Sequence, residues 1–210
     1  MTDIKICGTR TIEGAQRAVD LGASYLGFIF APVRRYVPPA QVATILGDLQ
    51  GRSTVRAVGV FVDEPLDHVA AVVDQCGLDA VQLHGSESPG YAAALSARVH
   101  VIKAFRIAEP DDFAKLDSYK VYGHLVEPQV AGYLGGAGVP LDWDAVDRNH
   151  DGRRRLFLSG GLKAETVAIA IAKVRPSVVD VSSGIETDGR QDPDKITAFI
   201  VAVRQADDHK

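Results

Sequence analysis

The sequence predicts an α/β fold of one domain, residues 1–210, in which eight parallel strands alternate with helices and close into a (β/α)₈ TIM barrel. Three observations carry this. Short apolar, β-rich runs recur eight times, at starting points about 25 residues apart. The runs are nearly continuous in apolar character rather than alternating, as parallel strands covered by helices require. The stretches between them repeat apolar residues at i, i+3, i+4 and i+7, the pattern of a helix with one buried face, as in Leu66, Val69, Ala70 and Val73 or Ile196, Phe199, Ile200 and Val203. An open doubly wound sheet uses the same local units, but eight in series without a linker favour closure.

The strands are expected to begin near Asp3, Tyr25, Val55, Asp79, Val99, Val121, Arg155 and Val178. Helices between them are announced by proline at or near the first turn (Pro39, Pro65, Pro89, Pro110, Pro193), where its missing N–H removes no helical bond. Asp111 and Asp112 follow Pro110, at the positive end of the helix expected there. In a barrel of this kind, chemistry sits at the C-terminal ends of the strands.

The first strand ends Lys5-Ile6-Cys7-Gly8, and alternation puts Lys5 and Cys7 on one face at the barrel mouth. Cys7 is either a packed thiol or a reactive one stabilised by a neighbouring cation. Cys76, before Gly77 at a helix end, reads as structural. The second loop carries Arg34-Arg35, which is either a fork for a carboxylate or phosphate or a solvated pair. Strand four ends Val81-Gln82-Leu83-His84-Gly85, where His84 is an acid or base, or a hydrogen-bonded support of the core. Strand six ends in Glu127, facing the same mouth as Cys7 and offering a carboxyl for proton transfer, unless it is a solvated loop carboxylate. The long segment from Pro128 to Pro140 contains Gly135-Gly136-Ala137-Gly138, which is not a dinucleotide fingerprint because no helix follows directly. Ser159-Gly160-Gly161-Leu162 and Ser182-Ser183-Gly184-Ile185-Glu186 follow strands seven and eight. Small residues there let backbone N–H groups approach an anion, with a helix N-terminus aimed at it.

With 46% hydrophobic and 24% charged residues, the chain has ordinary globular composition and needs no staple. A formal charge of −4 without a basic block argues against a nucleic-acid partner or a membrane surface. Two cysteines in no metal-ligand spacing fit reduced thiols, and no apolar run reaches the roughly 18 residues of a membrane span. A cytoplasmic protein, monomer or homodimer, is expected.

Seven segments, taken in order, resemble the phosphoribosylanthranilate isomerase family of tryptophan biosynthesis over essentially the whole chain. They are Lys5-Ile6-Cys7-Gly8, Arg35-Tyr36-Val37, Gly59-Val60-Phe61-Val62, Val81 to Gly85, Gly135-Gly136 with Gly138 and Asp142-Trp143, Ser159 to Leu162, and Asp180 to Glu186. The resemblance implies an Amadori rearrangement of a phosphorylated small molecule, without metal or cofactor. It implies Cys7 as general base and Arg35 as the partner of the anthranilate carboxylate. It further implies Gly136, Gly160, Gly161, Ser183 and Gly184 as substrate-binding, the last four around the phosphate. Glu127 stands where the family has an aspartate acid, Ala137 replaces a loop hydroxyl, and Leu141 replaces an aromatic residue. Val33-Arg34 stands where the family has Ser-Pro. These departures leave two other readings open: a relative acting on a different phosphoribosyl amine, or a non-catalytic phosphoribosyl-binding barrel.

Overall fold

The computed structural model describes residues 1–132, 138–150 and 152–208. Its strands are β1 (Asp3–Cys7), β2 (Tyr25–Ile29), β3 (Arg56–Phe61), β4 (Ala80–Leu83), β5 (His100–Ile107), β6 (Gly123–Pro128), β7 (Leu156–Leu158) and β8 (Val178–Val181). Each pairs in parallel with the next, and β8 returns to β1 through Asp3↔Val178 to Ile6↔Val181, closing the barrel. Several strands start a residue or two after the expected point, the usual latitude at a strand end.

The covering helices are α1 (Ile12–Asp20), α2 (Pro39–Asp48), α3 (Leu66–Cys76), α4 (Pro89–Ser96), α5 (Trp143–Asn149), α6 (Ala164–Val174) and α7 (Pro193–Asp208). Local chemistry sets their ends. Thr11 and Ser88 each accept a bond at 3.2 Å from the amide three residues on, those of Gly14 and Tyr91, and Asp142 accepts from Asp144 and Ala145. Gly77, at φ 62°, stops α3.

Two units depart from the sequence expectation. After β5 the chain forms a 3₁₀ run, Pro110–Ser118, instead of an α-helix. Its sequence contains one proline and three aspartates among nine residues, all weak helix formers in a short segment. Asp112 is committed to closing the entry: Lys115 and the amides of Ala108 and Glu109 bond it and hold its carboxyl down at about 2. After β8, only the three-residue turn Ser183–Ile185 follows, then a hairpin of β9 (Glu186–Thr187) and β10 (Arg190–Gln191), and α7 begins at Pro193. The hairpin separates α7 from the Ser183 turn in sequence, but Asp192, just before Pro193, donates its backbone N–H to Ile185 O at 2.9 Å and brings the start of α7 back to that turn.

The apolar core has two parts. Between sheet and helices lies a continuous layer that includes Leu26, Phe28, Val81, Val101, Val126, Leu158, Ile171 and Phe199. Inside the barrel, Tyr25, Val58, Ala80, Ile102, Leu125, Phe157 and Val178 fill the floor. Phe157 meets Tyr25 edge-on at 5.4 Å between centroids, and a β-carbon on Gly123 would overlap its ring, so the glycine makes room for the plug. Phe157→Ala is expected to lower unfolding free energy by about 3–5 kcal/mol, measured by urea denaturation. The inward row then turns polar toward the mouth: Lys5 and Cys7 on β1, Gln82 and His84 on β4 and just beyond it, Glu127 on β6, Asp180 on β8. Among the described residues, no helix is long and apolar enough to cross a membrane, and no group of three or more His, Cys, Asp or Glu is arranged to hold a metal ion.

Candidate active site

The strand ends surround a cavity of about 380 Å³, into which Cys7, Arg35, Glu127, Gly160, Gly161 and Ser183 all project or turn their backbone. Residues far apart in sequence thus share one wall-to-wall space, on strands whose alternation points them inward.

Cys7 sits beside the fully buried Lys5, whose ammonium donates to Asp180 Oδ1 at 2.7 Å. Asp180 Oδ2 in turn accepts from Ser159 Oγ at 3.1 Å. Gly27 on β2, paired with Cys7, leaves the thiol its space: a β-carbon there would lie 2.7 Å from Sγ and 3.2 Å from Lys5 Nζ. Burial pulls the Lys5 ammonium down, but Asp180 and Cys7 outweigh it and its pKa is raised.

Across the cavity Glu127, 4% exposed, accepts from or donates to His84 Nε2 at 2.8 Å. The other ring nitrogen, Nδ1, lies 2.7 Å from Gln82 Nε2. Arg106 on β5 places Nε 3.8 Å from the same Glu127 oxygen and donates from Nη2 to His84 O at 2.8 Å. On the β2 side, Arg35 grips Glu186 with Nε and Nη2 at 2.7 and 2.8 Å, while Arg34 reaches the same carboxylate at 2.7 Å. Two guanidinium groups on one carboxylate leave a net positive charge at this rim. Burial of Glu186 opposes ionisation, but its bonds to Arg35 and Arg34 prevail and its pKa is lowered.

Residues 4–202 match the family model of N-(5'-phosphoribosyl)anthranilate (PRA) isomerase. A protein of Geobacter sp. (strain M21) named N-(5'-phosphoribosyl)anthranilate isomerase is 44% identical over 208 residues, covering 98% of this chain and 99% of its own. The chain belongs to the N-(5'-phosphoribosyl)anthranilate isomerase family. Solved members superpose closely. The phosphoribosyl anthranilate isomerase of Thermotoga maritima gives a TM-score of 0.90 at 36% identity, with 98% of this chain and 100% of that one covered. A phosphoribosyl anthranilate isomerase solved in complex with reduced 1-(o-carboxyphenylamino)-1-deoxyribulose 5-phosphate gives 0.87 at 35% identity, with the same coverage.

Within this family member, the loop after β7 is shaped by Gly160 and Gly161, at φ +93° and +62°. A side chain on Gly161 would also meet the backbone of Val139 and Pro140 within 3 Å, so small size and backbone freedom are both required. Gly184 does not line the cavity; it lets the β8 loop press against Leu162 O and so joins the two loops. Gly136 lies outside the described residues. Arg35 is mostly buried and ion-paired rather than solvated, whereas the Arg34 side chain is half exposed. Cys76 is buried with Sγ 3.3 Å from Pro39 O, away from the mouth, as its place at a helix end suggests.

Four partners were not singled out from sequence: Asp180, Gln82, Glu186 and Ser182. The first two lie on inward positions of their strands, a signal that alternation carries. Ser182 Oγ is buried at the cavity with no partner among the described residues, a hydroxyl in want of an acceptor or donor.

The thiol itself is pushed up by burial, against the pull of Lys5 and Arg35 and with Asp180 adding to the rise. A raised thiol pKa means less thiolate at neutral pH than in free cysteine. Iodoacetamide alkylation of Cys7, followed by mass spectrometry, is therefore expected to be slow at pH 7 and to keep accelerating past about pH 8.5, where free cysteine is half ionised.

Proposed function

We propose that this chain catalyses the Amadori rearrangement of N-(5'-phosphoribosyl)anthranilate to 1-(2-carboxyphenylamino)-1-deoxyribulose 5-phosphate, with Glu127 as general acid and Cys7 as general base. The observation that carries the reading is the placement of a buried carboxyl and a buried thiol on opposite strands of one cavity, flanked by an arginine on one side and paired glycine-rich loops on the other.

In this reading the Glu127 carboxyl gives its proton to the furanose ring oxygen. The C1′–O bond breaks to the oxygen, and the anthranilate nitrogen lone pair forms the C1′=N bond of an iminium. The Cys7 thiolate then takes the C2′ proton, and the C–H electron pair forms C1′=C2′ as the C1′=N pair returns to nitrogen. The resulting enolamine tautomerises to the ketone. A thiolate whose pKa is raised is scarcer, but each one is a stronger base toward carbon. Arg35 meets the anthranilate carboxylate as a planar donor fork. Backbone N–H groups around Gly160, Gly161 and Ser183, with the Ser182 hydroxyl, take the phosphate. The extra methylene of glutamate over aspartate carries its carboxyl about 1.5 Å further from the strand, and here that reach ends on His84.

The test is the unmodified protein with N-(5'-phosphoribosyl)anthranilate, read as loss of anthranilate fluorescence. Robust turnover is expected; binding of the product analogue without any turnover would overturn the catalytic assignment.

A further inference from the structure

We propose that His84 is a positioning residue for Glu127, held as a hydrogen-bond donor by Gln82. The inference rests on the reading of Glu127 as general acid and adds a residue to it.

His84 follows β4 and is 8% exposed, with both ring nitrogens engaged. The amide nitrogen of Gln82 carries only hydrogens, so at 2.7 Å from Nδ1 it donates, and Nδ1 accepts. A neutral imidazole that accepts at Nδ1 carries its hydrogen on Nε2, which then donates to Glu127 Oε1 at 2.8 Å. The His84 backbone is fixed as well, because its carbonyl accepts from Arg106 Nη2. The arrangement has a cost that packing alone would not retain: Gln82 Oε1 is buried with no hydrogen bond among the described residues. An apolar residue at this inward position would avoid it.

The geometry defines what His84 does for the acid. With Oε1 fixed on Nε2–H, rotation of the carboxyl is stopped and Oε2, which no described residue bonds, is left to carry the proton toward the substrate. As that proton leaves for the ring oxygen, charge grows on the carboxylate and the Nε2–H bond strengthens to a charge-assisted one. His84 therefore favours the transition state over the resting acid. It gives up no proton itself.

Three variants and one spectrum test this. His84→Leu keeps bulk but removes the donor, and is expected to lower kcat by about 10–100-fold with KM little changed, the range for partners that orient a reacting group. His84→Gln restores an N–H at the Nε2 position and should recover most of that loss. Gln82→Leu leaves the ring but frees its tautomer, and should lower kcat in the same sense by less; it also carries the test if His84→Leu does not fold. Undiminished kcat in His84→Leu, a His84→Gln variant no better than His84→Leu, or a rise in KM with kcat kept would each overturn the proposal. The spectrum separates this failure from failure of the proposed reaction. A downfield imidazole N–H proton signal is expected in the unmodified protein and should vanish in Glu127→Leu, which offers Nε2–H no acceptor, whether or not the substrate turns over. Its persistence in that variant would overturn the donor assignment even in an active enzyme.

Discussion

Cys7→Ala lowers kcat by about 10²–10⁴, the contribution of a positioned general base, while the product analogue still binds. The thiol is small, and its neighbours are arranged around charge rather than volume. Lys5 Nζ is held on Asp180, and Asp180 on Ser159, so the polar lattice behind Cys7 survives its loss. Arg35 and the loops after β7 and β8 also remain. The variant thus isolates C2′ proton removal from substrate binding. Stopped-flow fluorescence at saturating substrate measures it, and a kcat within threefold of the unmodified protein would remove Cys7 from the mechanism. Cys7→Ser is expected to be nearly as slow, because a hydroxyl in the same buried place yields its proton far less readily than a thiol.

Glu127→Gln is expected to lower kcat by a similar factor, about 10²–10⁴. The amide keeps the size of the side chain but has no proton to give to the ring oxygen. Its nitrogen, if turned toward His84 Nε2–H, would set donor against donor, so the carbonyl is expected to face the imidazole and the NH₂ the substrate. Glu127→Asp provides the contrast. It keeps an acid but draws the carboxyl back by about 1.5 Å, out of reach of its 2.8 Å contact with His84. A displacement near 1 Å costs on the order of 10²-fold, so in this barrel the shorter acid should be the slower one. Faster turnover by Glu127→Asp than by the unmodified protein would show that the glutamate is a poor fit here.

The eight strands were legible because each is an apolar run long enough to be recognised without its partners, as in Tyr25 to Phe30 or Ala57 to Phe61. The mouth residues followed from alternation, which sends Cys7 and Glu127 inward from strands on different sides of the barrel. The segment after β5 departs from expectation because Pro110-Asp111-Asp112 is as good an opening for a 3₁₀ run as for an α-helix, and the weak helix formers in these nine residues do not sustain the α form. The hairpin after β8 did have a signal. Asp188-Gly189, at φ 49° and 75°, is the two-residue turn that joins Thr187 to Arg190, but its flanking strands are only two residues long and carry no apolar pattern. The Arg35–Glu186 grip spans 151 residues of sequence, and nothing local to either residue announces the other.

That grip also bears on how selectively the rim binds. Glu186 occupies the Nε–Nη2 edge of Arg35 and leaves Nη1 unbonded by any described residue, so the guanidinium plane is already oriented when a ligand arrives. Immobilising a side chain of this length on binding ordinarily takes about 0.5–1.5 kcal/mol from affinity; here that ordering belongs to folding. The exposed end of the fork then behaves as a rigid gauge of direction. A carboxylate in the ortho position of an aryl amine, fixed by its ring, can meet a fixed donor pair edge to edge. A flexible-chain carboxylate of the same charge would have to surrender its own rotamers to do so, and would be discriminated against by entropy rather than by contact.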